Sequence, residues 1–270
     1  MSSRGRASPP RYHRGMETTE LAVRRYIDAW FERDRARRDP LIEACFAADG
    51  RITIGDRVMR GRAELAAAIE AFQLDPRGLS ATLTSPIEAG GAMFRFRALF
   101  THPDGQRHSE LIDIGEVDGD GRIATLYTFV EPIAEGAAAP DASPAAQAAQ
   151  RYIDLWIERD PAARRAQLAA CFAASGRLVA RRQTFRGHDE IAAMIDAALG
   201  DPRGLSARRT TAIETAGSAF RFASIGEFAD GSPGFVGEDA GEIDGDGRIV
   251  VLYVFAGRLR RAAGAASEPR

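Results

Sequence analysis

The chain has 270 residues, 45% of them hydrophobic and 27% charged, with a formal net charge of −2. This is the composition of a folded globular chain. It holds no run of 18 apolar residues, which excludes a membrane-spanning helix, and its weak negative charge argues against nucleic acid or another polyanion as partner. Lys and Asn are absent and Arg is abundant, so arginine content by itself points to no function.

In chain order, residues 1–16 are basic and rich in Ser, Pro and Arg. They lack the apolar core of a signal peptide and read as a disordered tail. Without Arg4, Arg6, Arg11 and Arg14 the net charge becomes −6. A first domain is expected over 17–130. Leu21, Ala22, Arg25, Tyr26, Ala29, Trp30 and Phe31 recur at steps of three and four, the spacing of an amphipathic helix. A second short helix is expected from Pro40 to Ala48, with Leu41, Ile42, Cys45 and Phe46 on one face. Ile52 and Ile54 alternate with Arg51 and Thr53 as a short strand, and Arg62 to Phe72 reads as a third helix. Beyond Asp75-Pro76-Arg77-Gly78 the period changes to two, predicting strands over Leu79–Glu88, Ala92–His102, Arg107–Val117 and Arg122–Val130. Pro103-Asp104-Gly105 and Asp118-Gly119-Asp120-Gly121 are the turns between them. Residues 131–144 read as a linker, 145–257 as a second domain and 258–270 as a disordered tail.

The second domain repeats the first without a gap. RYIDAWFERD at Arg25 returns as RYIDLWIERD at Arg151, DPRGLSA at Asp75 returns at Asp201, and GEVDGDGRI at Gly115 returns as GEIDGDGRI at Gly241. About half of the paired positions are identical. A period this long signals duplicated domains, since solenoid units are only ~20–50 residues. Cys45 and Cys171 are equivalent, each followed by Phe-Ala-Ala, and are expected to be buried thiols of their own copies, which fits a reducing cytoplasm. The DGDG turns lack the spacing and terminal Glu of a calcium loop. No metal site is expected.

Three helices followed by a meander, with Tyr-x3-Trp-x3-Asp on the first helix and Phe-Ala-x-Asp/Ser-Gly after the second, resembles the nuclear transport factor 2-like superfamily. Its members include ketosteroid isomerase, limonene epoxide hydrolase and the SnoaL-like polyketide cyclases. The resemblance spans Leu21–Val130 and Ala146–Phe255. It implies an α+β fold of two tandem cone-shaped domains, each with three N-terminal helices packed on a curved antiparallel sheet. It also implies that the two copies pair as a dimer fused into one chain, so that the molecule is a monomeric pseudo-dimer or a homodimer of such chains.

By the same resemblance, the tyrosine that in ketosteroid isomerase donates to the substrate oxyanion falls on Tyr26 and Tyr152. The protonated cavity aspartic acid falls on Asp113 and Asp239. Alternation places Ser109, Leu111, Asp113 and Gly115 on one strand face, and a concave face would desolvate Asp113 and raise its pKa. The proton-shuttling aspartate of that family falls on Ile54 and Ala180, which abstract no proton, so the isomerase route is not expected. His102, which shares parity with Phe94, Phe96 and Phe100, is a candidate base; an exposed turn histidine is the other reading. Trp30, Phe46, Phe94, Phe96 and Phe100 in the first copy, and Trp156, Phe172, Phe220 and Phe222 in the second, are candidate ligand-lining residues, and packed core is the alternative for each. The functional expectation is a cofactor-free isomerase, cyclase or dehydratase acting on a small apolar carbonyl or enol compound. A non-catalytic binding module is the rival.

Overall fold

The computed structural model describes residues 11–132 and 142–257. The chain divides into two compact units, Met1–Ala138 and Ala139–Arg270. In the first, α1 (Arg11–Phe31), α2 (Arg35–Cys45), β1 (Phe46–Ile54), β2 (Arg57–Arg60) and α3 (Gly61–Gln73) precede β3 (Ser80–Leu83), β4 (Glu88–Gly90), β5 (Met93–Thr101), β6 (Arg107–Val117) and β7 (Ile123–Pro132). The second repeats this series as α4 (Pro144–Leu155), α5 (Pro161–Cys171), β8 (Phe172–Ala180), β9 (Gln183–Arg186), α6 (Gly187–Leu199), β10 (Ser206–Arg209), β11 (Glu214–Ala216), β12 (Ala219–Glu227), β13 (Pro233–Ile243) and β14 (Ile249–Gly257). Each unit is an α+β layer of helices over one sheet, ordered β2-β1-β7-β6-β5-β3 in the first, with β4 also on β5.

Several boundaries differ from those expected, each for a local reason. Helix α1 begins at Arg11, so residues 11–16, read as tail, are helical; residues 1–10 and most of the expected linker and C-terminal tail lie outside the described residues. Helix α2 begins at Arg35, because the Asp34 carboxylate caps it by accepting from the Ala36 N–H at 2.9 Å. Pro40 then falls inside the helix. The helix also ends earlier than expected: Phe46 is extended, with φ −121° and ψ 132°, and opens β1.

The sheet is mixed. β3, β5, β6 and β7 form antiparallel pairs, but β1 lies parallel to β7. The hairpin partner β2 on the outer side of β1 was not expected. The strand predicted over Leu79–Glu88 splits into β3 and β4 at Ser85-Pro86. Here the Ser85 hydroxyl, in place of a backbone carbonyl, accepts from the Arg97 N–H at 2.9 Å. Thr211 does the same for Ala223 at 2.8 Å in the second unit, where Ala212 follows. The side-chain oxygen is therefore common to both breaks, and the proline is not.

A buried arginine ties the helices together in each unit. Arg38, 3% exposed, donates to Glu70 Oε1 of α3 at 2.6 Å and to Gln73 Oε1 at 3.0 Å. Gln73 in turn donates to the Trp30 and Glu32 carbonyls at the end of α1, at 3.1 and 2.9 Å. In the second unit Arg164 donates to Asp196 and to the Glu158 carbonyl. His188, in the first turn of α6, bonds the Phe172 carbonyl through Nε2 at 2.9 Å. Arg62 does the same to the Phe46 carbonyl in the first unit, at 2.8 Å. Each side chain anchors the start of the third helix to the start of the first strand.

Gly115 on β6 has no room for a side chain. A Cβ there would lie 2.2 Å from the Thr125 carbonyl oxygen and 3.0 Å from the Phe94 ring. Because the nearer obstacle is backbone, Gly115→Ala is expected to cost about 3 kcal/mol of unfolding free energy. Urea denaturation followed by circular dichroism measures it, against a loss below about 1 kcal/mol for a tolerated surface change.

Candidate functional site

Between the helices and the sheet of the first unit lies a cavity of about 110 Å³. On a scale where one water takes ~10–15 Å³, it has room for several waters or a small ring compound. α1 supplies Tyr26 and Trp30, one turn apart and meeting edge to face at 6.1 Å. Trp30 meets Phe72 of α3 at 5.6 Å, and Phe72 meets Phe100 of β5 at 5.7 Å, both edge to face. This arc of rings, with Ile52, Ile54, Met59, Leu111 and Phe96, makes the wall apolar. Asp113 and Thr128 are set into that wall as polar groups.

Two bulges position the carboxyl. The β5–β6 register slips at Phe100/Thr101 and the β6–β7 register slips at Glu116/Val117. As a result Asp113 stands between Phe96 and Thr128; had the register beyond the second bulge continued, Tyr127 would be opposite. The Thr128 hydroxyl donates to Asp113 Oδ1 at 2.5 Å. Asp113 is 5% exposed, and its burial, only partly offset by the Thr128 hydrogen bond, pushes its pKa from an ordinary 3.8 up to about 7. The Tyr26 phenol is buried beside it. Its pKa is raised by that burial and then by the charge on Asp113, so the phenol keeps its proton. Among the described residues the donor to Asp113 is Thr128, not Tyr26. Among the described residues Trp30 Nε1 is buried with no hydrogen-bond partner.

The second unit encloses a cavity of about 120 Å³ lined by Tyr152, Trp156, Phe222, Ser224, Phe235 and Asp239, among others. Tyr152 and Trp156 keep the edge-to-face contact, at 6.3 Å. Val254 replaces Thr128 opposite the aspartate, and Ser224 on the other neighbouring strand donates to Asp239 Oδ2 at 3.4 Å. The Tyr152 phenol is again raised, by burial first and then by Asp239. Phe100 becomes Gly226 and its cross-strand partner Ser109 becomes Phe235. The Phe235 ring lies over Gly226, where a Cβ would come within 2.2 Å of it. The aromatic volume thus crosses to the neighbouring strand.

Of the residues singled out from the sequence, Tyr26, Trp30, Phe96, Phe100 and Asp113 come together in one cavity, and Tyr152, Trp156, Phe222 and Asp239 in the other. Phe46, Phe94, Phe172 and Phe220 do not line either cavity. They are at most 1% exposed in the core, and Phe94 and Phe220 stack on Phe96 and Phe222 at 6.4 Å. They share a strand face with cavity residues but lie deeper, roofed by helices. His102 lies beyond the end of β5, its N–H bonded to the Gln106 carbonyl in the turn. Its ring packs edge-on against His108 at 5.0 Å, outside the cavity lining. The fault lay in extending strand parity one residue past the bulge. Phe72, Met59, Thr128 and Phe235 were not foreseen as lining residues; cross-strand register, had it been known, would have found Thr128.

Cys45 and Cys171 are free and buried, and burial pushes both thiols up to about 12. Neither is a nucleophile at neutral pH. Among the described residues no three His, Cys, Asp or Glu side chains converge as metal ligands, and no helix is long and apolar enough to cross a membrane.

Fold and site together define a tandem of α+β cavity domains, each with a phenol and a carboxyl in an apolar pocket. Solved structures similar to the chain include SnoaL-like, NTF2-like and ketosteroid isomerase-like proteins, the class that the sequence motifs resemble. One is a SnoaL-like family protein from Agrobacterium tumefaciens, 26% identical, covering 43% of this chain and 99% of its own, with a TM-score of 0.40. Another is an LEH-like epoxide hydrolase from M. tuberculosis, 18% identical, covering 43% of this chain and 84% of its own, with a TM-score of 0.33. A third, from Catenulispora acidiphila, has a ketosteroid isomerase-like fold and is in complex with trimethylamine; it is 16% identical, covers 40% of this chain and 84% of its own, and has a TM-score of 0.34. No family model matches the sequence, and no curated protein matches it.

The raised carboxyl makes stability depend on pH. Asp113 binds its proton more tightly folded than unfolded, so its contribution is fully present below about pH 4 and is lost as pH rises through about 7. About three pKa units correspond to roughly 4 kcal/mol. Asp113→Asn, which has no charge to bury, is expected to be more stable relative to the parent at pH 8 than at pH 5, by a few kcal/mol. Chemical denaturation of both proteins at the two pH values measures this, and an unchanged difference would contradict the buried titration.

Proposed function

We propose that the first unit binds a neutral, apolar small molecule carrying a carbonyl or enol oxygen, and that Asp113 exchanges a proton with it. The observation that carries this reading is a carboxyl 5% exposed, with a pKa of about 7, in the same apolar cavity as a protonated phenol. A carboxyl poised at neutral pH serves as acid or base with little energetic bias either way. The Tyr26 hydroxyl is a donor for negative charge developing on the ligand oxygen, and one such donor in a water-poor site is worth ~3–4 kcal/mol of barrier. The reaction class that uses these groups alone is isomerisation, cyclisation or dehydration.

The second reading, a binding module without turnover, is favoured by Ile54. This residue lines the cavity where the resembled isomerase places its proton-shuttling aspartate, so among the described residues lining the cavity Asp113 has no second carboxylate to relay through.

Thermal-shift screening against lipophilic ketones, enones and phenols identifies ligands, and NMR of each bound compound over time detects conversion. Catalysis predicts turnover with an apparent pKa near 7, lost ~10²–10³-fold in Asp113→Ala and reduced comparably in Tyr26→Phe, with binding changed far less. Turnover of an identified ligand that is unaffected by Asp113→Ala overturns the assignment. Ligands held unchanged indefinitely point to the binding module.

A further inference from the structure

The two cavities are similar in size, about 110 and 120 Å³, but differ at one edge. In the first unit the edge strand β3 presents Ala81 and Leu83 to the cavity. In the second the equivalent strand β10 presents Ala207, Arg208 and Arg209. Arg208 pairs with Glu227 Oε2 at 3.5 Å. Arg209 stands where the first unit has Leu83. It donates one N–H to the Thr211 carbonyl at 2.6 Å, and among the described residues it has no carboxylate partner. A guanidinium carries five N–H donors in a planar fork that matches a carboxylate. An exposed cation without a carboxylate partner among the described residues thus sits at the rim of a pocket lined by Trp156, Phe222 and Phe235, with Asp239 among its other lining residues.

We infer that the second cavity is a separate binding site for an amphipathic organic carboxylate, its apolar body inside the pocket and its carboxylate on Arg209. Asp239 lines the same cavity, so the end of the ligand opposite the carboxylate carries no negative charge. The first cavity, with Leu83 at the matching position, takes neutral ligands. This assignment does not depend on proton transfer at Asp113 and stands if that proposal fails.

The chain has two tryptophans, and each lines one cavity. Trp30→Phe leaves Trp156 as sole reporter of the second cavity, and Trp156→Phe leaves Trp30 for the first. The probes are 4-phenylbutyrate and 4-phenylbutanol, which share a body and differ in charge. In Trp30→Phe the butyrate is expected to bind at least ~10-fold more tightly than the alcohol, the gain of about one charge-assisted hydrogen-bonded contact. Adding Arg209→Leu, the residue of the first unit, is expected to bring the ratio close to one, while Arg208→Leu leaves it nearly unchanged. In Trp156→Phe the alcohol binds at least as well as the butyrate. Calorimetry on the otherwise unaltered chain, with and without Arg209→Leu, makes the same comparison should Trp30→Phe fold poorly. Equal affinities for the two probes, a preference that survives Arg209→Leu, or no binding of either at Trp156 would overturn the inference.

Discussion

The enclosure of the site rests on a buried guanidinium that ties the three helices to one another. Arg38 joins α2 to α3, and Gln73 passes the connection to the last carbonyls of α1. That fixes the turn carrying Tyr26 and Trp30 over the sheet and keeps water from Asp113. A charge this deeply buried needs acceptors for its donors, and the two terminal nitrogens of Arg38 have them. Glu70 and Gln73 supply acceptors in the first unit, Asp196 and the Glu158 carbonyl in the second. The partners differ while the arginine is the same, so the demand is for a clamp between helices and not for a particular pair.

From that enclosure the chemistry follows. Desolvation moves Asp113 into the neutral range and moves Tyr26 away from ionisation. The two groups respond in opposite practical senses. The phenol becomes a permanent donor, and the carboxyl becomes the group that changes state near neutrality. Thr128 tempers the effect with one short hydrogen bond, and in the second unit Val254 removes that particular donor.

The duplication, the helix periodicities and the two-residue alternation were legible because each is a pattern along the chain. That Tyr26 and Asp113 face one interior was legible through family resemblance and strand parity. What was hidden depends on register between strands. A β-bulge shifts every later pairing by one residue, and sequence spacing carries no direct mark of it. Hence Thr128 was missed, and His102 was carried one residue too far. The phenylalanines were separated into wall and core by depth beneath the helices, which parity does not encode. The break at Ser85 was hidden for another reason: a hydroxyl acting in place of a backbone acceptor looks from the sequence like any other strand residue.

The exchange of Phe100 and Ser109 for Gly226 and Phe235 keeps ring volume in place while moving it between neighbouring strands. Either half of the exchange alone leaves two rings competing for one space or a hollow with none. Divergence between the copies at this point therefore had to pass through a poorly packed intermediate, and a duplicated chain, with one sound copy still present, is the setting in which such an intermediate is tolerated. Grafting β12 or β13 singly from one copy into the other would recreate that mismatch, so these two strands form a unit of inheritance.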